Sequence, residues 1–254
     1  MIENPPGFVV RSEAQQAASD HGFRRELGQR GGWLGFGSTT AHGEVWIAGG
    51  GSQGPWFLAV THPGVAAELG PPTATSAGLD RPAWVFARLG ELHEAVDRAY
   101  RLGVSLPDAP LREFQKKTAA LPRTTEAERL VVQRVGQDLF RDALLEYWGG
   151  QCPLTGITDT ALLRASHIVA WAECDSDAQR LDVHNGLLLS ALWDAAFDRG
   201  LVSFADDGAA LVSPALSDEA HAALGPVESM RLQGLTALHA ANLAQHRAKY
   251  GFVD

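Results

Sequence analysis

The chain has few cysteines, no long apolar run and no surplus of positive charge, and each absence excludes something. Cys152 and Cys174 are the only thiols in 254 residues, too few for a disulfide framework, and their scarcity fits a reducing compartment. Two thiols alone cannot form an all-thiolate zinc site. No apolar stretch approaches the roughly 20 residues that a membrane span requires, and no early segment pairs a basic start with an apolar run. The expectation is a soluble, cytoplasmic protein with no membrane partner. A net charge of −9 argues against a general polyanion binder, because phosphates are neutralised by Lys and Arg.

The charge is unevenly spread. Up to residue 120 there are 11 basic and 12 acidic side chains, and after it 10 and 18. Part of the later excess lies near Asp194 and Asp198, where a bound cation would reverse the local sign. The stretch from Leu111 to Arg141 is locally basic, with Arg112, Lys116, Lys117, Arg123, Arg129, Arg134 and Arg141 against four acids. It is a candidate for phosphate contact; the alternative is a solvated helix face.

Length and a hydrophobic content of 45% suit two domains. Residues Gly31 to Val60 alternate short apolar and aromatic runs with glycine-rich turns, a pattern of strands and hairpins. Ser12 to Gly28 has helical composition, and Ala87 to Leu102 sets Leu89, Leu92, Ala95, Val96 and Tyr100 on one helical face. Residues 1–105 therefore read as a β-rich α+β domain. Pro107, Pro110 and Pro122 interrupt the next segment, 106–123, which reads as a linker. Residues 124–254 form the second domain. Its first helix opens at Thr125 and Glu128, which have capping-box spacing, and carries Leu130, Val131, Val135, Leu139, Leu144 and Leu145 in helical register. Ser217 to Leu224 and Val227 to Tyr250 are also helical in pattern, broken at Gly225-Pro226.

Between these helices, an apolar strand from Leu162 to Val169 would present His167. An Asp-rich loop follows, then His184-Asn185-Gly186 and a short helix from about Ser190 to Phe197. Strand, loop, strand and helix can bring His167, Asn185 and Asp194 together. Phosphodiester hydrolysis needs an activated water, a cation for the developing charge and a base held in one tautomer. An imidazole titrates near working pH and suits the base. A carboxylate suits Mg²⁺ or Mn²⁺ better than zinc, and an amide can brace the loop behind the base.

The runs RASHIVAW and HNGLLLSALWDAAFDRG followed by LVSF resemble the HNH nucleases of the ββα-metal class, in the branch whose third motif residue is acidic. FRDALLEYWGGQCPLTG upstream and AQHRAKYGF downstream resemble the flanks of that branch, so the likeness spans about residues 129 to 250. It implies a ββα-metal nuclease domain flanked by helices, His167 as general base, Asn185 as the central structural residue and Asp194 as a metal ligand. In many relatives the residue before the base is an Asp or His that binds the metal. Here it is Ser166, a poor ligand, so either water completes the shell, or Asp198 or His184 contributes, or the metal is held weakly. Neither cysteine has the paired partner with which some relatives bind a structural zinc, so none is expected. Asp198-Arg199-Gly200 also reads as a helix stop.

The implied partner is double-stranded DNA. Cutting both strands with one site per chain would call for a homodimer. Selectivity would then fall to the N-terminal domain, whose Trp33, Trp46, Trp56 and Trp84 could stack on a base or simply fill a core. The leading expectation is a restriction or phage-defence endonuclease whose first domain reads a DNA modification or sequence. The alternatives are a catalytically inactive HNH fold used as a nucleic-acid-binding module, which Ser166 keeps open, and a colicin-like toxin.

Overall fold

The computed structural model describes residues 1–76, 78–122 and 124–252. The chain divides into two compact units, Met1–Ala109 and Pro110–Asp254. The protein is mixed α+β, with a sheet in its N-terminal part.

The first unit comprises α1 (Phe8–Asp20), β1 (Arg25–Arg30), β2 (Trp33–Gly37), β3 (Glu44–Gly49), β4 (Trp56–Val60), α2 (Pro63–Glu68), β5 (Ala74–Thr75), β6 (Pro82–Phe86) and α3 (Leu89–Ser105). Its six strands form an antiparallel sheet in the order β1-β2-β3-β4-β6-β5. Alternation along the strands fills two layers. Val45 and Ile47 are buried on one face, where Val10 of α1 rests against Gly49. Trp33, Ala48, Ala59 and Ala83 gather with Leu79 in a second cluster. The helix expected over Ser12 to Gly28 stops at Asp20. Gly22 takes a φ of 85°, which ends the helix and lets the chain turn into β1.

The second unit carries α4 (Asp108–Thr118), whose first turn holds the division, then α5 (Glu126–Tyr147), β7 (Leu163–His167), α6 (Asp177–Arg180), β8 (Gly186–Ser190), α7 (Ala191–Asp198), β9 (Val202–Phe204), β10 (Ala210–Val212), α8 (Asp218–Leu224) and α9 (Ala237–Tyr250). β7 pairs with β8 and β9 with β10, both antiparallel. The capping box of α5 forms as the spacing predicts, with Thr125 and Glu128 exchanging hydrogen bonds of 2.9 and 3.2 Å. The buried face of α5 is Val132, Gly136, Phe140, Ala143 and Leu144, whereas Leu130 and Val131 are exposed.

Two expectations about local structure need correction. Most of the proline-interrupted segment 106–123 is helix α4, because Pro110 falls in its first turn, where the missing N–H has no intrahelical partner to lose. Arg123 lies outside the described residues. A continuous helix over Val227 to Tyr250 does not form either. The backbone at Met230 and Leu232 is recruited by the β9–β10 hairpin, through Ala210 N–H to Met230 O at 3.1 Å and Leu232 N–H to Gly208 O at 2.9 Å, so α9 begins only at Ala237.

Candidate active site

The hairpin β7–β8 sets the first side chains of the site. In its register Ser166 faces Leu187 and His167 faces Gly186. A Cβ at Gly186 would come within 2.5 Å of Phe140, so glycine is what lets α5 press this ring against the hairpin. Phe140 in turn stacks on His167, with ring centroids 3.7 Å apart and planes 18° from parallel, and Trp171 meets the imidazole edge-on at 5.6 Å. Thus the Asn-Gly pair, which could have been only a turn, makes room for the platform beneath the imidazole.

The tautomer of His167 follows from its partner. Its Nε2 lies 2.9 Å from the carbonyl oxygen of Arg180; a carbonyl only accepts, so Nε2 carries the proton and Nδ1 keeps a lone pair. No hydrogen bond to Nδ1 is made among the described residues. Burial lowers the pKa of His167 from 6.5 to about 4, partly opposed by the Arg180 carbonyl, so the ring is neutral near pH 7.

Asn185 is fully buried and ties down the loop that supplies that carbonyl. Its Oδ1 accepts from Val169 N–H at 2.8 Å, and its Nδ2 donates to Val169 O at 3.1 Å and Gln179 O at 3.2 Å. Gln179 immediately precedes Arg180. The amide therefore spans both ends of the 169–179 loop one peptide away from the group that orients His167.

On α7, Asp194 and Asp198 are four residues apart and share a helix face. Ser166 is buried and donates its hydroxyl to Asp198 Oδ1 at 3.3 Å. Burial pushes the Asp194 carboxyl above its ordinary range, and the nearby charge of Asp198 pushes it further. Asp198 is also raised by burial, opposed by the Ser166 hydroxyl and by Arg199 and Lys249. Among the described residues no Lys or Arg forms an ion pair with either carboxylate. Asp194 is half-buried and Asp198 exposed, so water screens part of the repulsion between the two charges, and a divalent ion would relieve the remainder. Two carboxylates are hard oxygen donors of the kind Mg²⁺ accepts while keeping several waters, whereas the neutral Ser166 hydroxyl is a weak one. Among the described residues no group of three His, Cys, Asp or Glu side chains is gathered for a metal, so water would have to supply the remaining positions.

His167 and Asp198 meet at one cavity of about 370 Å³, whose wall also includes Trp171, Arg199, Lys249 and Tyr250. Successive strand residues point to opposite faces, so Ser166 turns toward α7 while His167 lies on Phe140. His167 and the carboxylate-bearing helix nevertheless share an opening. Asp194 and Ser166 do not line it; they adjoin it through Asp198.

The wall from α9 was not singled out by motif. His246 is buried; its Nε2 donates to Phe197 O at 3.1 Å and its Nδ1 accepts from the Ser203 hydroxyl at 3.0 Å. The Tyr250 hydroxyl donates to Asp198 O at 2.9 Å, so α9 clasps the last two carbonyls of α7. The only sequence signal was AQHRAKYGF, legible as a flank and silent about its contacts.

The remaining site residues fall elsewhere. His184 packs against Tyr147 and His239, with Nδ1 at 2.8 Å from Asp182, and does not join the carboxylates. Arg141 is engaged with the carbonyls of Leu163 and Thr160, both at 2.9 Å, so its guanidinium braces the start of β7. Arg134 is exposed beside Asp138 at 3.8 Å, and Lys116 and Lys117 lie near Glu113 at 4.0 and 3.5 Å. Trp33 has 0% exposure, which removes it as a stacking surface: it is packed into the sheet's cluster, where no base can reach it. Trp46 is half-buried, with Gly35 beneath its ring and Arg30 6.0 Å from the ring centroid.

The family model described as HNH endonuclease matches residues 152–205, a segment that holds Ser166, His167, Asn185, Asp194 and Asp198. No curated protein matches the chain.

Proposed function

We propose, on the match of residues 152–205 to the HNH endonuclease family, that this chain is a metal-dependent DNA endonuclease of a restriction or phage-defence system. The observation that carries the reading is His167, neutral, fixed in one tautomer by a backbone carbonyl and bordering the same cavity as Asp198.

In this reading Nδ1 of His167 takes a proton from the water that attacks phosphorus. A pKa of about 4 makes the free ring a weak base. A phosphate entering the cavity adds negative charge beside it and raises its proton affinity. Asn185 acts through position, holding the loop whose carbonyl keeps Nε2 protonated. Asp194 and Asp198, with Ser166, would hold Mg²⁺ or Mn²⁺, which when bound neutralises charge on the phosphate and stabilises the leaving oxygen. The N-terminal unit, residues 1–109, would supply selectivity by reading a modification or sequence, with Trp46 as the partly open aromatic; Lys116, Lys117 and Arg134 are exposed cations available to the DNA backbone.

Ser166 favours one competing reading, a nucleic-acid-binding module without catalysis, because a hydroxyl is a poor ligand for a divalent ion. Plasmids from hosts with different modification systems, incubated with Mg²⁺, Mn²⁺ or chelator, separate the two. The endonuclease cuts only with metal, and His167→Ala lowers the rate roughly 10²–10⁴-fold while DNA binding persists. Undiminished binding with no cut under any metal supports the binding module.

A further inference from the structure

The cavity wall contains two cations that the proposed chemistry has not used. Most basic side chains around it are committed to the fold. Arg180 donates to Trp171 O and Cys174 O at 3.1 and 2.7 Å, Arg164 to Ala161 O and Leu163 O, and Arg247 to Phe204 O at 2.8 Å. Arg199 and Lys249 differ. Arg199 is exposed and makes no ion pair among the described residues. Lys249 Nζ lies 2.6 Å from Glu173 Oε1, with the two side chains 41% and 49% exposed, and 5.2 Å from the Tyr250 ring centroid.

We propose that Lys249, assisted by Arg199, binds a phosphate of the nucleic-acid strand next to the one being cut, and that Glu173 is the place-holder which this phosphate displaces. The inference rests on the nucleic-acid substrate of the proposed function and names the residues that grip it. An ion pair so exposed to water is weak, so a phosphate can displace Glu173 at little cost. The Tyr250 ring lies 5.2 Å from the ammonium while its hydroxyl donates to the backbone carbonyl of Asp198, which ties the end of α9 to the end of α7. The setting makes each such cation count: after residue 120 the chain has 10 basic side chains against 18 acidic, so a polyanion can approach this cavity only where a few positive groups are concentrated.

The two halves of the ion pair give opposite predictions, and that is the test. Binding of a fluorescently labelled duplex to the full chain is measured by anisotropy in chelator, across a salt series starting at low salt. Lys249→Gln weakens binding roughly tenfold at low salt and lowers the slope of log affinity against log salt by about one, the loss of one phosphate contact; Lys249→Arg keeps the slope. Glu173→Gln tightens binding several-fold, because nothing then competes for the ammonium. If the pair is only a brace, both variants weaken binding alike and both lower the melting temperature, which overturns the proposal. An unchanged slope in Lys249→Gln, or no binding by the unmodified chain at low salt, overturns it as well. Cleavage is scored separately: binding that follows this pattern in a protein that cuts under no metal rejects the endonuclease reading alone, and cutting with an unmoved slope in Lys249→Gln rejects this inference alone.

Discussion

Both units assemble imidazoles and a carboxylate, with opposite electrostatic outcomes. In the first unit Asp108 Oδ2 lies 2.7 Å from His42 Nδ1 and 3.4 Å from His62 Nε2. His62 Nδ1 accepts from Val65 N–H, so its Nε2 is the donor, and the carboxylate receives two N–H groups. Burial would push Asp108 up; the hydrogen bonds from His42 and His62 prevail and hold it below the usual carboxylate range. In the second unit Asp194 and Asp198 are raised and share one serine hydroxyl. A carboxylate whose donors are already inside the protein is finished, whereas a pair whose charge is unmet asks for a ligand. Residue type alone would have ranked the two clusters equally.

The largest effect that would sharpen this contrast is on α7. Asp198→Asn should reduce metal-dependent plasmid cleavage roughly a hundredfold or more while leaving the melting temperature equal or slightly higher, because one of two mutually repelling charges is gone. Asp194→Asn should behave alike. Preserved cleavage in both variants would place the cation elsewhere and break the comparison.

How much of this was legible beforehand depended on whether a feature is local. The α5 capping box, the strand that carries His167 and the short α7 helix follow from side chains within a few residues of one another, and the sequence places them closely, although the strand expected to run on to Val169 stops at His167. Trp33 shows the limit: aromatic density among glycine turns announces strands, but whether a ring is sealed or open depends on which face the partner strands and Leu79 cover. Pro110 misled because a proline in the first turn of a helix and a proline in a linker look the same without the helix start. His246, Lys249 and Tyr250 approach the cavity from the last turns of α9, with His246 bonded to a residue 49 positions back and Tyr250 to one 52 back, long-range contacts that no spacing rule contains.

A second, smaller effect concerns pH. Burial lowers His167 and His246 to about 4 from 6.5, so between those values the unfolded chain binds protons that the folded second unit refuses. Stability is therefore full above about pH 6.5, falls as pH drops toward 4 and levels off below it, by about 1 kcal/mol for each imidazole at pH 5.5. Protonation of the raised Asp194 and Asp198 opposes part of this loss. Hydrogen exchange followed from pH 7 to 4.5 should show β7, β8 and α7 losing protection in that window, and less so in His246→Gln. Protection that stays flat would mean these rings are not held neutral.

The smallest effect belongs to the satisfied cluster, and it is the most demanding check of the contrast. Asp108→Asn keeps an oxygen that can accept from His42 and His62 but removes the charge that strengthens both bonds. With a side chain 37% exposed, the loss should be about 1 kcal/mol, a melting shift of a few degrees, with cleavage unchanged. Because the folded pKa of Asp108 is depressed, its contribution exists above the unfolded value of 3.8 and is lost as pH falls through the lower folded value. The deficit of the Asn variant should accordingly hold from neutral pH down to about 4 and close below that. A folded Asp108→Asn protein that no longer cuts DNA would show that the His42–Asp108–His62 cluster is no finished structural unit, and that unmet charge is the wrong criterion for separating the two sites.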